Sequence, residues 1–223
     1  NKELLEEVLF YGKSLGADFV ELFIENSDNS SVLAEEDCIT SVSPSFVKGA
    51  GIRIFKDKRD GFVSTNDLSK HGLMRSVSQA IEMLDISIKT NNSLFNGLEK
   101  LKDYSESKIN WLSEVPTINE VSEKLLLSTK SLKKDKKVVV RKGSYSRNWQ
   151  QVIIASSDGT YVTDIRLHQT VGLNIIANDA QYRSNGSRRF GSHGLPNDFR
   201  LWDHEKAANE VYESSMNMLY ADY

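Results

Sequence analysis

The stretch from Val47 to Ser69, VKGAGIRIFKDKRDGFVSTNDLS, constrains this chain more than any other. Ile52 and Ile54 alternate with Arg53 and Phe55, the period of two that belongs to a strand. KDKRDG supplies turn chemistry, with Asp60-Gly61 expected at the position of positive φ. GFVST resumes as a strand, and Asn66 or Asp67 is placed to cap a helix striped by Leu73, Val77, Ile81 and Leu84. A phosphate cradle, a hinge and a plain hairpin all use such glycines. A phosphate loop, however, sets its glycines between a strand and a helix N-terminus. Here Gly49 and Gly51 precede the strand, and the turn carries acidic Asp57 and Asp60, so the nucleotide reading fails on position.

The same reasoning extends along the chain. Leu4, Leu5, Val8, Leu9 and Leu15 predict an amphipathic helix over 2–16, closed by Gly16. DFVELFIEN alternates as a half-buried strand. SSVLAEED and CITSVS read as a second extended segment and its bend, ended by Pro44. Residues 87–116 are polar and weakly periodic, a connector pinned by Leu94, Phe95, Ile109 and Trp111. Thr117 and Glu120 form a capping box for a helix striped by Ile118, Val121, Leu125 and Leu132. The runs KKVVVRKGSYS, WQQVIIASS, GTYVTDIRLHQTVGLNIIAND and AQYRSNG follow as strands. A last helix opens near Asp203, striped by Ala208, Val211, Ser215, Met218 and Leu219. Successive strands on short turns predict an α+β fold, a mixed or largely antiparallel sheet packed with helices. DGFVSTND near 60 and DGTYVTDI near 158 are alike, which suggests an internal duplication. The expected organisation is a first helix–strands–helix half at 1–86, the connector at 87–116 and a second half at 117–223.

Composition narrows the function classes. Among 223 residues, 28 Lys and Arg stand against 31 Asp and Glu, a net charge of −3. That balance lacks the basic footprint of direct nucleic-acid binding. Lys133-Lys134, Lys136-Lys137 and Arg188-Arg189 read as solvated faces. A single cysteine, Cys38, excludes an internal disulfide and suits a reducing compartment. No apolar run approaches the roughly 20 residues that span a bilayer. NKELLEEVLF is acidic where a signal peptide is basic, so a cytoplasmic location without a membrane partner is expected.

Catalytic motifs are scarce. The histidines are His71, His168, His193 and His204. His204-Glu205 imitates the start of a zinc-peptidase helix, but positions 208 and 209 are Ala and Asn, so no second imidazole shares its face. It reads as the first turn of the last helix. His193 and His204 with Asp198 or Asp203 offer a metal grouping by sequence proximity alone. Cys38 has no nearby histidine, and no G-x-S-x-G nucleophile elbow occurs. Arg188-Arg189-Phe190-Gly191-Ser192 is an anion-binding candidate whose plainer reading is an exposed loop.

GADFVELFIE, VLAEEDCITSVS, GAGIRIFKDKRDGFVSTNDLS, ASSDGTYVTDIR and RRFGS follow one another in an order that resembles the N-terminal region of the TldD/PmbA family, also called modulators of DNA gyrase. The resemblance covers nearly the whole chain, and RRFG is similar to the TldD branch. Gly49, Gly51, Asp60, Gly61, Phe62, Asp158 and Gly159 carry the signature and are expected to be structural. The resemblance implies a zinc metallopeptidase in which TldD-like and PmbA-like subunits pair to degrade or trim peptides or unfolded protein. Its catalytic H-E-x-x-x-H helix and later cysteine lie downstream of the region matched here. No catalytic residue, metal ligand or bound cofactor is therefore expected in this chain, which alone would be inactive; zinc is implied for the full-length protein. The expected role is a substrate-cleft or assembly domain. The alternatives are a non-catalytic protein-interaction module of the gyrase-modulator type and a scaffold for a paralogous subunit. Phe199, Trp202, Met216 and Met218 are the residues expected to expose an apolar docking surface.

Overall fold

A computed structural model describes residues 2–84, 99–103, 114–132, 135–193 and 198–221. Helix α1 (Lys2–Ser14) buries Leu5, Val8 and Leu9, and the chain reverses at Gly16, whose φ is 98°. β1 (Phe19–Glu35) and β2 (Cys38–Lys56) are single long strands joined through Glu36 at φ 55°. The break expected at Pro44 is absent. β3 (Arg59–Thr65) pairs only with residues 50–56 of β2, so Pro44 lies where a missing N–H breaks no bond to β3.

The β2–β3 turn corrects a second expectation. Lys56 pairs with Arg59, leaving Asp57 (φ 48°) and Lys58 (φ 64°) as the two left-handed residues of the hairpin. Gly61 sits inside β3, where a Cβ would come 2.6 Å from the Ala80 carbonyl oxygen of α2 (Lys70–Met83). Its role is therefore close approach, not turn geometry. The cap of α2 is Ser69, whose hydroxyl accepts from the Gly72 amide at 3.1 Å. Asp67 acts one step earlier, accepting from the Ser69 amide at 3.0 Å. The predicted stripe Leu73, Val77, Ile81 and Leu84 is buried.

The polar connector supplies a strand of its own, β4 (Glu99–Asp103), which pairs in parallel with residues 160–163. Leu94, Phe95, Ile109 and Trp111 lie outside the described residues. Helix α3 (Ile118–Ser131) carries the expected capping box: Thr117 accepts from the Glu120 amide at 3.2 Å, and Glu120 accepts from the Thr117 amide at 2.7 Å. The next two predicted runs fuse into one strand, β5 (Val138–Ser156). β6 (Thr160–Asp179), β7 (Tyr182–His193), a single turn α4 (Asp198–Leu201) and α5 (His204–Leu219), capped by Asp203, complete the order.

Among the described residues, seven strands run β3-β2-β1-β5-β6-β4, with β7 also on β6. β2–β3 and β6–β7 are antiparallel, and the fold is α+β. The element order repeats helix, three strands, helix. The two similar peptides nevertheless occupy different hairpins: Asp60-Gly61 opens the third strand, whereas Asp158-Gly159 turns between β5 and β6.

The chain forms two compact units. The first comprises Asn1–Ser27, Phe46–Lys108 and Gln150–Ile165, and its core joins Leu5, Val8 and Leu9 to Val20, Leu22, Ile52, Ile54, Leu73 and Val77. The second comprises Asp28–Ser45, Ile109–Trp149 and Arg166–Tyr223. It holds one cluster around Val121, Leu125, Tyr145 and Phe199 and another around Leu132, Leu173, Ile175 and Val211. Phe199 is 3% exposed, because α4 turns its ring edge-on to Tyr145 at 4.9 Å. Trp202 and Met216 are half-buried and Met218 is exposed, so the four residues do not make one apolar surface.

A candidate binding groove and its surroundings

Along β6 and β7 of the second unit, register decides which side chains share a face. Gly172 pairs with Arg189 and Asn174 with Ser187. Ser184 and Gly186 lie in the opposite row against α5, where Ser184 and Ser215 exchange a hydrogen bond of 2.8 Å. The Gly172–Arg189 row therefore faces away from α5. With Leu33 and Glu35 from β1 and Lys142 and Ser144 from β5, it borders a concavity of about 490 Å³.

Gly172 leaves the floor open. A Cβ there would meet the Ser144 hydroxyl at 2.7 Å. Lys142 is paired with Glu35 at 3.1 Å, whereas exposed Arg189 has no ion-pair partner among the described residues. Its neighbour Arg188 points to the other face, 3.7 Å from Glu210 of α5. The pair read in sequence as one basic patch is thus split by the strand alternation. Only Arg189 stands beside Gly172 on the open face. A planar guanidinium beside serine hydroxyls suits a carboxylate.

On the helix side, the polar groups are committed to structure. The Tyr145 hydroxyl donates to Gln169 at 2.9 Å, and burial pushes the phenol up to about 12. Arg141, 5% exposed, reaches Glu36 at 2.6 Å and Asp37 at 3.2 Å and donates to the Thr129 carbonyl. Arg147 holds Asp28 at 3.1 Å. Glu120 is lowered to about 2, first by the Arg200 guanidinium and then by the Thr117 amide and hydroxyl. Sequence alone gave no sign of the Arg141 and Arg147 clamps, whose carboxylate partners lie more than a hundred residues away in each case.

The signature residues occupy a cross-strand ion pair, close-packed strand positions and one turn. Asp60 accepts from Arg53 at 3.0 and 3.1 Å. The Phe62 ring covers Gly51, whose absent Cβ would lie 3.0 Å from it, and Gly49 stands equally close to the Thr65 carbonyl. Asp158 accepts from Ser156 and from the Thr160 amide, which hold its carboxyl below the usual range, beside Gly159 at φ 97°.

The histidines separate. His71 lies in the first turn of α2 and His204 in that of α5, while Cys38 opens β2. His193 meets neither His204 nor Asp203; it meets His168 across the β6–β7 ladder. Asp198 accepts instead from Ser192.

The architecture is a two-unit α+β chain with long strands and a groove on one sheet face of the second unit. Residues 20–84 match the PmbA/TldA metallopeptidase domain 1, and residues 104–219 match the PmbA/TldA metallopeptidase central domain. The chain belongs to the PmbA/TldD family. It is 23% identical over 199 residues to the metalloprotease TldD homolog of Haemophilus influenzae, covering 87% of this chain and 39% of that protein. Its fold is similar to that of a Thermotoga maritima protein described as a proposed modulator of a DNA gyrase (TM-score 0.76, 16% identity), covering 99% of this chain and 49% of the other. It is also similar to TldE from Thermococcus kodakarensis (TM-score 0.73, 20% identity), covering 93% and 47%. The chain thus spans about two-fifths of the curated relative it matches.

The family name implies a metal. A hydrolytic zinc centre takes three protein ligands and a water. Among the described residues no group of three or more His, Cys, Asp and Glu side chains comes together, so they do not fit such a centre. Among the same residues no helix is long and apolar enough to cross a membrane.

Proposed function

We propose that this chain is the N-terminal, substrate-cleft region of a TldD-like zinc metallopeptidase that trims or degrades peptides in the cytoplasm. Zinc and the hydrolytic residues come from sequence outside the 223 residues. Residues 1–86 and 117–223 act as its two helix–strands–helix halves, and the signature glycines and aspartates serve packing and turns. The observation that carries the reading is the open-face groove, with Gly172 as its floor and Arg189 beside it, without an ion-pair partner among the described residues. Lys142 and Glu35 neutralise each other, so Arg189 gives the groove an uncompensated positive charge. That charge suits a peptide carboxylate, from a chain end or an acidic side chain. Hydroxyls and Asn174 along the same face suit the peptide backbone.

In the full-length enzyme, Arg189→Ala should raise KM for peptides ending in a free carboxylate several-fold, with kcat nearly unchanged and normal assembly. Arg189→Lys should recover part of the loss, because the charge returns without the planar fork. Unchanged KM for both variants would refute the cleft role. Partial deletion within 87–116 is the companion test, since unchanged turnover and specificity would leave only a scaffold.

A second reading is assembly with a homologous subunit, supported by the fold shared with TldE. Under it, Arg189→Ala shifts the oligomer in size-exclusion chromatography while leaving peptide KM alone. A direct DNA-binding role is disfavoured by the net charge of −3.

A further inference from the structure

We propose that His168 and His193 form a two-toothed chelating site for a divalent ion of the zinc, nickel or copper class on the open face of the second unit. The two residues are direct partners in the antiparallel register of β6 and β7, the last pair of that ladder. Their side chains therefore leave the sheet on the same face. Both are exposed, so an ion reaches them from solvent without any opening of the fold.

The geometry carries the assignment. The two Nδ1 atoms stand 3.1 Å apart, with ring centroids at 4.4 Å. Zinc–imidazole bonds are about 2.0–2.1 Å long. One ion bound to two nitrogens 3.1 Å apart then subtends an angle of about 95–100°, between the square and tetrahedral values. The pair is thus spaced for a shared ion before the ion arrives. Without metal, one Nδ1–H donates to the other Nδ1. With metal, both Nδ1 atoms offer lone pairs and each ring carries its proton on Nε2, a tautomer change with no net proton released. Imidazole is a ligand that zinc, copper and nickel share.

Two protein ligands are fewer than the three of a hydrolytic site or the four of a structural one. Among the described residues no third His, Cys, Asp or Glu completes a cluster. Water fills the remaining positions, and binding is reversible. The expected consequence is a side-chain staple across the end of the β6–β7 ladder, where the chain leaves β7.

Titration of metal-free chain with zinc chloride by calorimetry should give one saturable site. His168→Gln and His193→Gln should each remove it, while His71→Gln and His204→Gln should leave it intact. Ring-nitrogen NMR should show the Nδ1 resonances of His168 and His193, and no other histidine, moving on metal addition. Gln at either exposed position should leave the thermal unfolding of the metal-free chain unchanged. No saturable binding, or binding that survives loss of either histidine, overturns the assignment. So does binding with the ring shifts at His71 or His204 alone.

Discussion

Alanine at Gly61 separates two physical roles for one glycine. A methyl there would sit 2.6 Å from the Ala80 carbonyl oxygen and 3.3 Å from Leu84 Cγ. The first obstacle is helix backbone, anchored by buried Val77, Ala80 and Ile81, so α2 must move off β3. Overpacking of this kind costs about 1–3 kcal/mol. Alanine recovers roughly 0.4–1 kcal/mol by restricting the unfolded chain. The net loss is about 1–2 kcal/mol, or roughly 2–8 °C in Tm for a chain of this size. Lys58→Gly is the counter-test. Lys58 is left-handed at φ 64°, and the roughly 1–2 kcal/mol that a left-handed residue with a Cβ stores exceeds the roughly 0.4–1 kcal/mol that glycine gives up by freeing the unfolded chain. Urea unfolding followed by circular dichroism should move the midpoint down for Gly61→Ala and up for Lys58→Gly, each at constant m. A neutral or stabilising Gly61→Ala would refute the close-approach reading.

Glu120→Gln should flatten the acid limb of stability. The folded-state pKa is lowered to about 2, so the contribution is full above the unfolded value near 4.5 and is lost as pH falls towards 2. Because Glu120 is half-exposed, the loss at neutral pH should be only about 0.5–1 kcal/mol, read from unfolding midpoints at pH 7 and pH 3. Arg141→Ala should cost about 2 kcal/mol; Glu36 and Asp37 are half-exposed and regain water, which keeps the loss below that of a fully buried pair. Tyr145→Phe should cost about 1–2 kcal/mol through the lost bond to Gln169. In the wild type, Tyr145 should show no tyrosinate absorbance until the chain unfolds or the pH nears 12.

Elements with local causes were legible in the sequence. The stripe Leu73–Val77–Ile81–Leu84, the Thr117–Glu120 box and the start of the last helix near Asp203 depend on neighbours within a turn or two, and each stands where the pattern set it. The misses have non-local causes. Pro44 reads as a strand end, yet β2 runs through it because β3 pairs only further along. β4 hides in a polar connector because its pairing with β6 has no local period. The groove was half legible: Arg188-Arg189 drew notice as a basic patch, but the alternation that sends Arg188 to α5 and Arg189 to Gly172 needs the β6–β7 register. The His168–His193 meeting, 25 residues apart, needs the same register.

The repeat of helix, three strands and helix is better marked by packing than by the peptides that look alike. In the first copy, Gly61 on the third strand lets the following helix lay the Ala80 carbonyl against it. In the second, Gly186 on the third strand does the same for Val211 of α5, at 2.4 Å from where a Cβ would be, with Ser215 Cβ at 2.8 Å. Both glycines are buried, and neither has positive φ, so neither serves a turn. The same kind of steric demand at corresponding places predicts a penalty at both, scaled by how close the obstacles lie. Gly186→Ala should cost about 2–3 kcal/mol, more than Gly61→Ala, because two obstacles lie closer than 3 Å and one is helix backbone. Chemical denaturation of the two variants side by side measures it. A Gly186→Ala chain as stable as wild type would show that α5 slides freely on β7, and the packing equivalence of the two copies would fall with it.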